Sequence, residues 1–105
     1  VEDVKTYLER INKAFESRAR LGIMAILVME EHVDFGYLKE ALQLTDGNLG
    51  SHLRALEEAS YLQVEKRFVG RRPNTRYKAT PAGKAAFQQH LDALENLILK
   101  SRNAE

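Results

Sequence analysis

The chain has 105 residues, with 16 Lys and Arg against 15 Asp and Glu, 44% apolar residues, no Cys and no Trp. That length supports one core and one domain, and the composition is that of a globular chain rather than a disordered one. The lack of Cys excludes a disulfide framework and a thiolate metal site, and the longest apolar run, Leu21 to Met29, falls far short of the ~20 residues needed to span a bilayer. No basic segment followed by an apolar stretch opens the sequence, so no secretory leader and a cytoplasmic location are expected. The net charge of +1, taken alone, speaks against a nucleic-acid partner.

Hydrophobic spacing divides the rest of the sequence in order. Val4, Leu8, Ile11 and Phe15 recur at helical intervals and predict one helix over about residues 2 to 16. Ser17 is a candidate N-cap for Arg18 to Glu30, where Leu21, Ile23, Met24, Ile26, Leu27 and Val28 are dense enough to predict the most buried segment. A short strand is expected near Val33 to Phe35, then a helix over Gly36 to Leu44 with Leu38, Leu42 and Leu44 inward. Thr45, Asp46 and Gly47 read as a turn, with Asp46 capping a helix from Asn48 to about Ala59 that buries Leu49, Leu53 and Leu56. From Leu62 to Val69 the period changes to that of a strand. Gly70 to Thr75 reads as a hairpin loop, and Arg76 to Thr80 as the returning strand, with Tyr77 and Ala79 on one face. Thr80 followed by Pro81 predicts a capped helix start, because proline has the φ of a first helical residue and lacks the N–H that would be unsatisfied there. That last helix, to about Lys100, carries Phe87, Leu91, Leu94 and Ile98 on one stripe. The expected fold class is mainly α with a small antiparallel sheet.

Two helices joined by a short turn, the second exposing Asn48, Ser51, His52 and Arg54, have the layout of a helix-turn-helix. Such side chains suit the major groove, where base edges offer hydrogen-bond donors and acceptors. A helix with a merely solvated face has the same pattern. The charge distribution is more telling. Residues 61–80 hold Lys66, Arg67, Arg71, Arg72, Arg76 and Lys78 against one acid, Glu65, giving +5, so the other 85 residues, with 10 basic and 14 acidic side chains, sum to −4. Concentrated positive charge neutralises phosphates and releases their counterions, which gives affinity without sequence preference. Basic residues can also guard strand edges, but Arg71 and Arg72 stand at the loop tip, where no edge is evident.

The run Thr45 to Tyr61, TDGNLGSHLRALEEASY, the following LQVEKRFVGRRPNTRYKATPAGKAAF and the upstream SRARLGIMAILVM resemble the winged helix-turn-helix domains of transcriptional regulators related to the MarR and ArsR groups. The resemblance covers most of residues 17 to 90. It implies a recognition helix over Asn48 to Ala59, a wing over Phe68 to Arg76 and a homodimer. Ser60 stands where similar proteins usually have Gly to form a left-handed helix end.

A single domain over residues 1–105 is expected, with a helix-turn-helix over 36–59 and a wing hairpin over 62–80. The apolar stripes over 1–16 and 81–100 predict dimerisation helices, with Leu8, Ile11, Phe87, Leu91, Leu94 and Ile98 at the interface; alternatively, one stripe covers the back of its own subunit. Asn48, Ser51, His52 and Arg54 are the candidate major-groove residues, and Arg71, Arg72 and Arg76 the candidate contacts to backbone or minor groove. His32, His52 and His90 are scattered, and neither a metal motif, a Gly-rich phosphate loop nor a nucleophile elbow is legible, so no catalysis, metal or cofactor is expected. The expected function is sequence-specific binding of double-stranded DNA by a homodimeric regulator, most simply a repressor, with a small-molecule effector as a possible further partner. The alternative is a winged helix used for protein–protein assembly without DNA.

Overall fold

The computed structural model describes residues 2–103. The elements in order are α1 (Glu2–Arg10), a 3-10 turn (Lys13–Phe15), α2 (Arg18–Met29), β1 (Val33–Asp34), α3 (Phe35–Leu42), α4 (Asp46–Glu58), β2 (Leu62–Val69), β3 (Arg72–Ala79) and α5 (Pro81–Asn103). The strands form one antiparallel sheet in the order β1-β3-β2. Among the described residues no helix is long and apolar enough to cross a membrane.

The core lies where α2, α3, α4 and the base of the hairpin meet. Ile23, Met24 and Leu27 of α2, Leu38 of α3, Leu49, Leu53 and Leu56 of α4, and Leu62, Tyr77 and Ala79 of the hairpin are buried together. Ser17 caps α2 as its sequence position implies, its hydroxyl accepting from the Arg20 N–H. Val28 departs from the expectation for that dense segment. It and Met29 are exposed, because the last turn of α2 runs past the core.

The expected helix over 2–16 is broken. α1 stops at Arg10, and the chain turns at Asn12, whose side chain accepts from the Ala14 N–H to start the 3-10 turn. The same residue donates its backbone N–H to His90 Nδ1 at 3.1 Å and its side-chain amide to the Tyr61 hydroxyl at 2.8 Å. These three bonds compensate for the helical hydrogen bonds that the break forfeits. The turn drives Phe15 into the core, where its ring lies 5.5 Å from Phe87, 5.4 Å from Tyr61 and 5.4 Å from His90. Phe15 and Val4 therefore do not share one helical stripe.

His90 is the buried polar residue of this knot. Burial lowers its pKa from the ordinary value, against a smaller opposing pull from Glu16, and the Asn12 N–H needs its unprotonated Nδ1 as acceptor. Below about pH 6.5 the unfolded chain binds a proton that the folded chain resists. Stability present above that pH is thus lost as pH falls toward the lowered folded value. The melting temperature should drop between pH 7 and pH 5, and less steeply in His90→Gln, whose side chain stays neutral.

The helix-turn-helix is offset from its expected position. α3 is capped by Asp34, whose carboxylate accepts from the Tyr37 N–H at 2.8 Å, and it ends at Gln43 in the left-handed region, at φ 55. The turn is Gln43 to Thr45, two residues earlier than expected. Thr45, not Asp46, caps α4: its backbone is extended and its hydroxyl accepts from the Asn48 N–H at 3.2 Å. Asp46 becomes the first helical residue, where a carboxylate favours the positive end of the helix dipole, and it pairs with Lys39 at 2.8 Å.

Ser60 ends α4 with φ 65, the conformation inferred for it from the glycine usual there. A non-glycine residue is strained at that φ by about 1 to 2 kcal/mol, partly offset by its smaller loss of chain entropy. Ser60→Gly should therefore stabilise the fold by roughly 0.5 to 1 kcal/mol in chemical denaturation.

Thr80 and Pro81 start α5 as the sequence indicates. The Thr80 hydroxyl accepts from the Gly83 N–H at 2.9 Å and donates to the Ser60 carbonyl at 2.7 Å. α5 runs to Asn103, past the expected end at Lys100, and α1 lies against it. The molecule measures 59 × 25 × 20 Å with a radius of gyration of 16.0 Å, against about 13 Å for a compact chain of this length. The excess length reflects a helix of 23 residues, which spans about 35 Å.

Candidate nucleic-acid interface

α4 turns its leucines inward and leaves Asn48, Ser51 and Arg54 exposed, with His52 half-buried at the edge of that face. The helical period alone produces this division, since Leu49, Leu53 and Leu56 return to one side every three or four residues. Gly47 has open space where a Cβ would stand, so this first turn presents bare backbone to any approaching group. The Arg54 guanidinium lies over Gly50, with Nη1 4.0 Å from the position of its missing Cβ. Lys39 of α3 stands beside the same helix end through its pair with Asp46, a cation that sequence spacing did not single out.

The wing is longer and tighter than expected. Instead of a loop over 70–75, strand pairing continues to Val69 opposite Arg72, and only Gly70 and Arg71 form the turn. Gly70, at φ 64, supplies the positive φ that a two-residue hairpin turn requires. Pro73 and Asn74, although turn-forming residues by composition, therefore lie within β3. Pro73 is tolerated because β1 pairs only with residues 76 and 77, which leaves β3 an edge strand at its tip.

The register sorts the side chains of this hairpin onto two faces. One face carries the cross-strand pairs Glu65 with Arg76, Arg67 with Asn74, and Val69 with Arg72. Arg76 Nε and Nη2 donate to the two Glu65 carboxylate oxygens, each at 3.1 Å, and Arg67 Nε donates to Asn74 Oδ1 at 3.1 Å. Arg76, a candidate DNA contact by sequence, is thus engaged by Glu65 and half-buried, with its charge largely compensated. Arg71 and Arg72 are exposed at the tip and pair with no acid among the described residues. Arg67, not selected from the sequence as a contact, is a further exposed cation, held in place by Asn74. Its charge was countable in the sequence, but its tether to Asn74, seven residues on, was visible only in the register.

The residues expected at a dimer interface divide in two. Phe87 is buried against Phe15 in its own core and has no surface to offer a partner. Ile11 and Leu94 are half-buried. Leu8 of α1 is 55% exposed and Ile98 of α5 is 51% exposed, with Val4, Leu91 and Leu99 also open to solvent.

Residues 19–98 match the model of a family described as winged helix DNA-binding domain. An uncharacterized protein of Methanocaldococcus jannaschii is 40% identical over 93 residues, covering 89% of this chain and 98% of that protein. Among solved structures, a transcriptional regulator homologue from Pyrococcus horikoshii aligns with a TM-score of 0.81 and 30% identity, over 93% of this chain and 95% of that one. A transcriptional regulator of the MarR family from Silicibacter pomeroyi has the same fold at 20% identity, with a TM-score of 0.64 over 90% of this chain and 65% of that one.

Proposed function

This chain belongs to the winged helix DNA-binding domain family, and on that premise we propose that it is a sequence-specific transcriptional regulator that grips double-stranded DNA as a homodimer. α4 enters the major groove, with Asn48, Ser51, His52 and Arg54 at base edges. Arg71 and Arg72 take phosphates or the adjacent minor groove, and Arg76 steadies the wing through Glu65. The carrying observation is the segregation of charge: a hairpin of +5 on a remainder of −4, with its two uncompensated arginines at the exposed tip. A remainder that is net acidic favours approach to DNA through the wing and so one binding orientation.

The dimer rests on α1 and α5. Their exposed Val4, Leu8, Leu91, Ile98 and Leu99 lie on the elongated part of the molecule, and a second copy related by a two-fold axis would bury them. Such a dimer sets two α4 helices about one turn of DNA apart, ~34 Å, and reads an inverted repeat. Bound in this way, the protein represses by occupying the operator.

Selection of bound duplexes from a random pool tests the reading. The expected result is an inverted repeat with half-sites about 10 base pairs apart. A selected motif without symmetry would overturn the dimeric arrangement, and no enrichment at all would overturn DNA binding. For the dimer itself, sedimentation at micromolar concentration should give twice the chain mass for the wild type and the single-chain mass for Leu8→Glu combined with Ile98→Glu. Both positions are exposed, so the double variant keeps its fold.

A further inference from the structure

The second face of the hairpin carries a feature that the arginines do not explain. Its cross-strand pairs are Leu62 with Ala79, Val64 with Tyr77, Lys66 with Thr75, and Phe68 with Pro73. The first two pairs close the core: Leu62, Ala79 and Tyr77 are buried and Val64 packs against them. Phe68 lies four residues further out, roughly 13 Å past Val64 at the rise of a strand. There it is 73% exposed, with Pro73 directly across from it. A phenylalanine at the tip of a hairpin leaves water only if something outside the subunit covers it, and burying it is favourable because its apolar surface leaves water.

The chemistry around it indicates what that something is. Lys66 shares its face, Arg71 lies in the turn, and Arg67 and Arg72 stand on the opposite face of the same tip, all four exposed. A protein surface rich in acids would match the cations, but a duplex matches both elements: phosphates for the arginines, and the apolar walls of sugars and base edges in the minor groove for the ring. Pro73, directly across on β3, fixes the backbone of the opposite strand, so the tip of the wing has less backbone freedom to lose on binding.

We propose that Phe68, braced by Pro73, is an apolar wedge that contacts the minor groove of duplex DNA alongside the wing arginines. The contact contributes affinity that does not depend on counterion release. Arg71 and Arg72 bring the wing to the duplex, and Phe68 holds it there. This inference rests on the DNA-binding reading above and adds to it a mode of contact and a residue.

The distinguishing property is the response to salt. Phe68→Ala should weaken binding to a selected duplex about tenfold at every salt concentration while leaving the slope of log K against log salt unchanged, because no phosphate contact is lost. With no native tryptophan, Phe68→Trp places a single indole at the tip, and its emission should shift or be quenched when duplex is added. Binding by Phe68→Ala equal to the wild type, or a loss accompanied by a flatter salt slope, would overturn the wedge while leaving DNA binding intact. So would a change in sedimentation on Phe68→Ala without DNA, which would make a second copy the occupant. Failure of the wild type to bind any duplex would overturn both readings. Melting of each variant should match the wild type, since Phe68 lies outside the core.

Discussion

Replacing Arg71 and Arg72 together by Ala should weaken binding to every duplex alike, by roughly ten- to a hundredfold at physiological salt, and flatten the salt slope by about 1.8. Each phosphate neutralised contributes a slope of about 0.9 through released counterions, and both guanidiniums are exposed at a two-residue turn. The pairs that occupy Arg76 and Arg67 do not reach them. The fold should not respond, because neither side chain belongs to the core. Asn48→Ala and Ser51→Ala form the contrast: on the exposed face of α4, each should change preference among sequences by about 1 to 3 kcal/mol and leave the salt slope nearly intact. Unchanged affinity and slope in the double arginine variant would show that the wing is not the electrostatic contact.

Gly83→Ala should destabilise the fold by about 3 kcal/mol, a fall in melting temperature of roughly 15 °C. A Cβ at Gly83 would stand 2.0 Å from the Tyr61 carbonyl oxygen and 2.8 Å from its carbonyl carbon. Both are backbone atoms, and that oxygen also accepts the Thr80 N–H at 3.0 Å. The methyl therefore cannot be accommodated by a rotamer change. Either the first turn of α5 lifts off the corner between α4 and β2, or that corner moves. In both cases the cap between Thr80 and the Gly83 N–H is disturbed. Gly47→Ala is the control, since its Cβ meets open space in a helix that alanine favours over glycine by about 1 kcal/mol. A Gly83→Ala protein as stable as the wild type would mean that α5 approaches Tyr61 less closely than the structure shows.

These two sites, the paired wing arginines and Gly83, differ in how far the sequence revealed them. Arg71 and Arg72 stand out in a linear reading, because charge can be counted residue by residue. Gly83 lies in TPAG, where Thr80 and Pro81 announce a helix start, but nothing in that string says that the fourth residue meets a carbonyl 22 positions earlier in the chain. Arg76 shows the converse. As a basic residue in a basic hairpin it was a natural candidate for DNA, yet the register sets Glu65 across from it, and the pair forms.

Local physics was legible at most element starts, though at α4 it pointed to Asp46 where the neighbouring Thr45 is the cap. The hydroxyls of Ser17 and Thr80 each need only an N–H three residues ahead, and both caps form. The leucines of α4 need only the helical period to share a face. The winged-helix character and the basic hairpin follow from the same short-range patterns and from resemblance along the chain. What the tertiary structure decided were matters of partnership between distant residues. Helix 2–16 breaks at Asn12 because His90, 78 residues away, accepts the backbone N–H that a continued helix would have used, and Tyr61, 49 residues away, accepts the Asn12 side-chain amide. Phe87 turns from an expected interface into the core because that break delivers Phe15 to it. The wing gains its length, and Phe68 its exposed place at the tip, because cross-strand pairing continues through residues whose composition favours a loop. In each case, the free energy lies in contacts that exist only once the chain has folded.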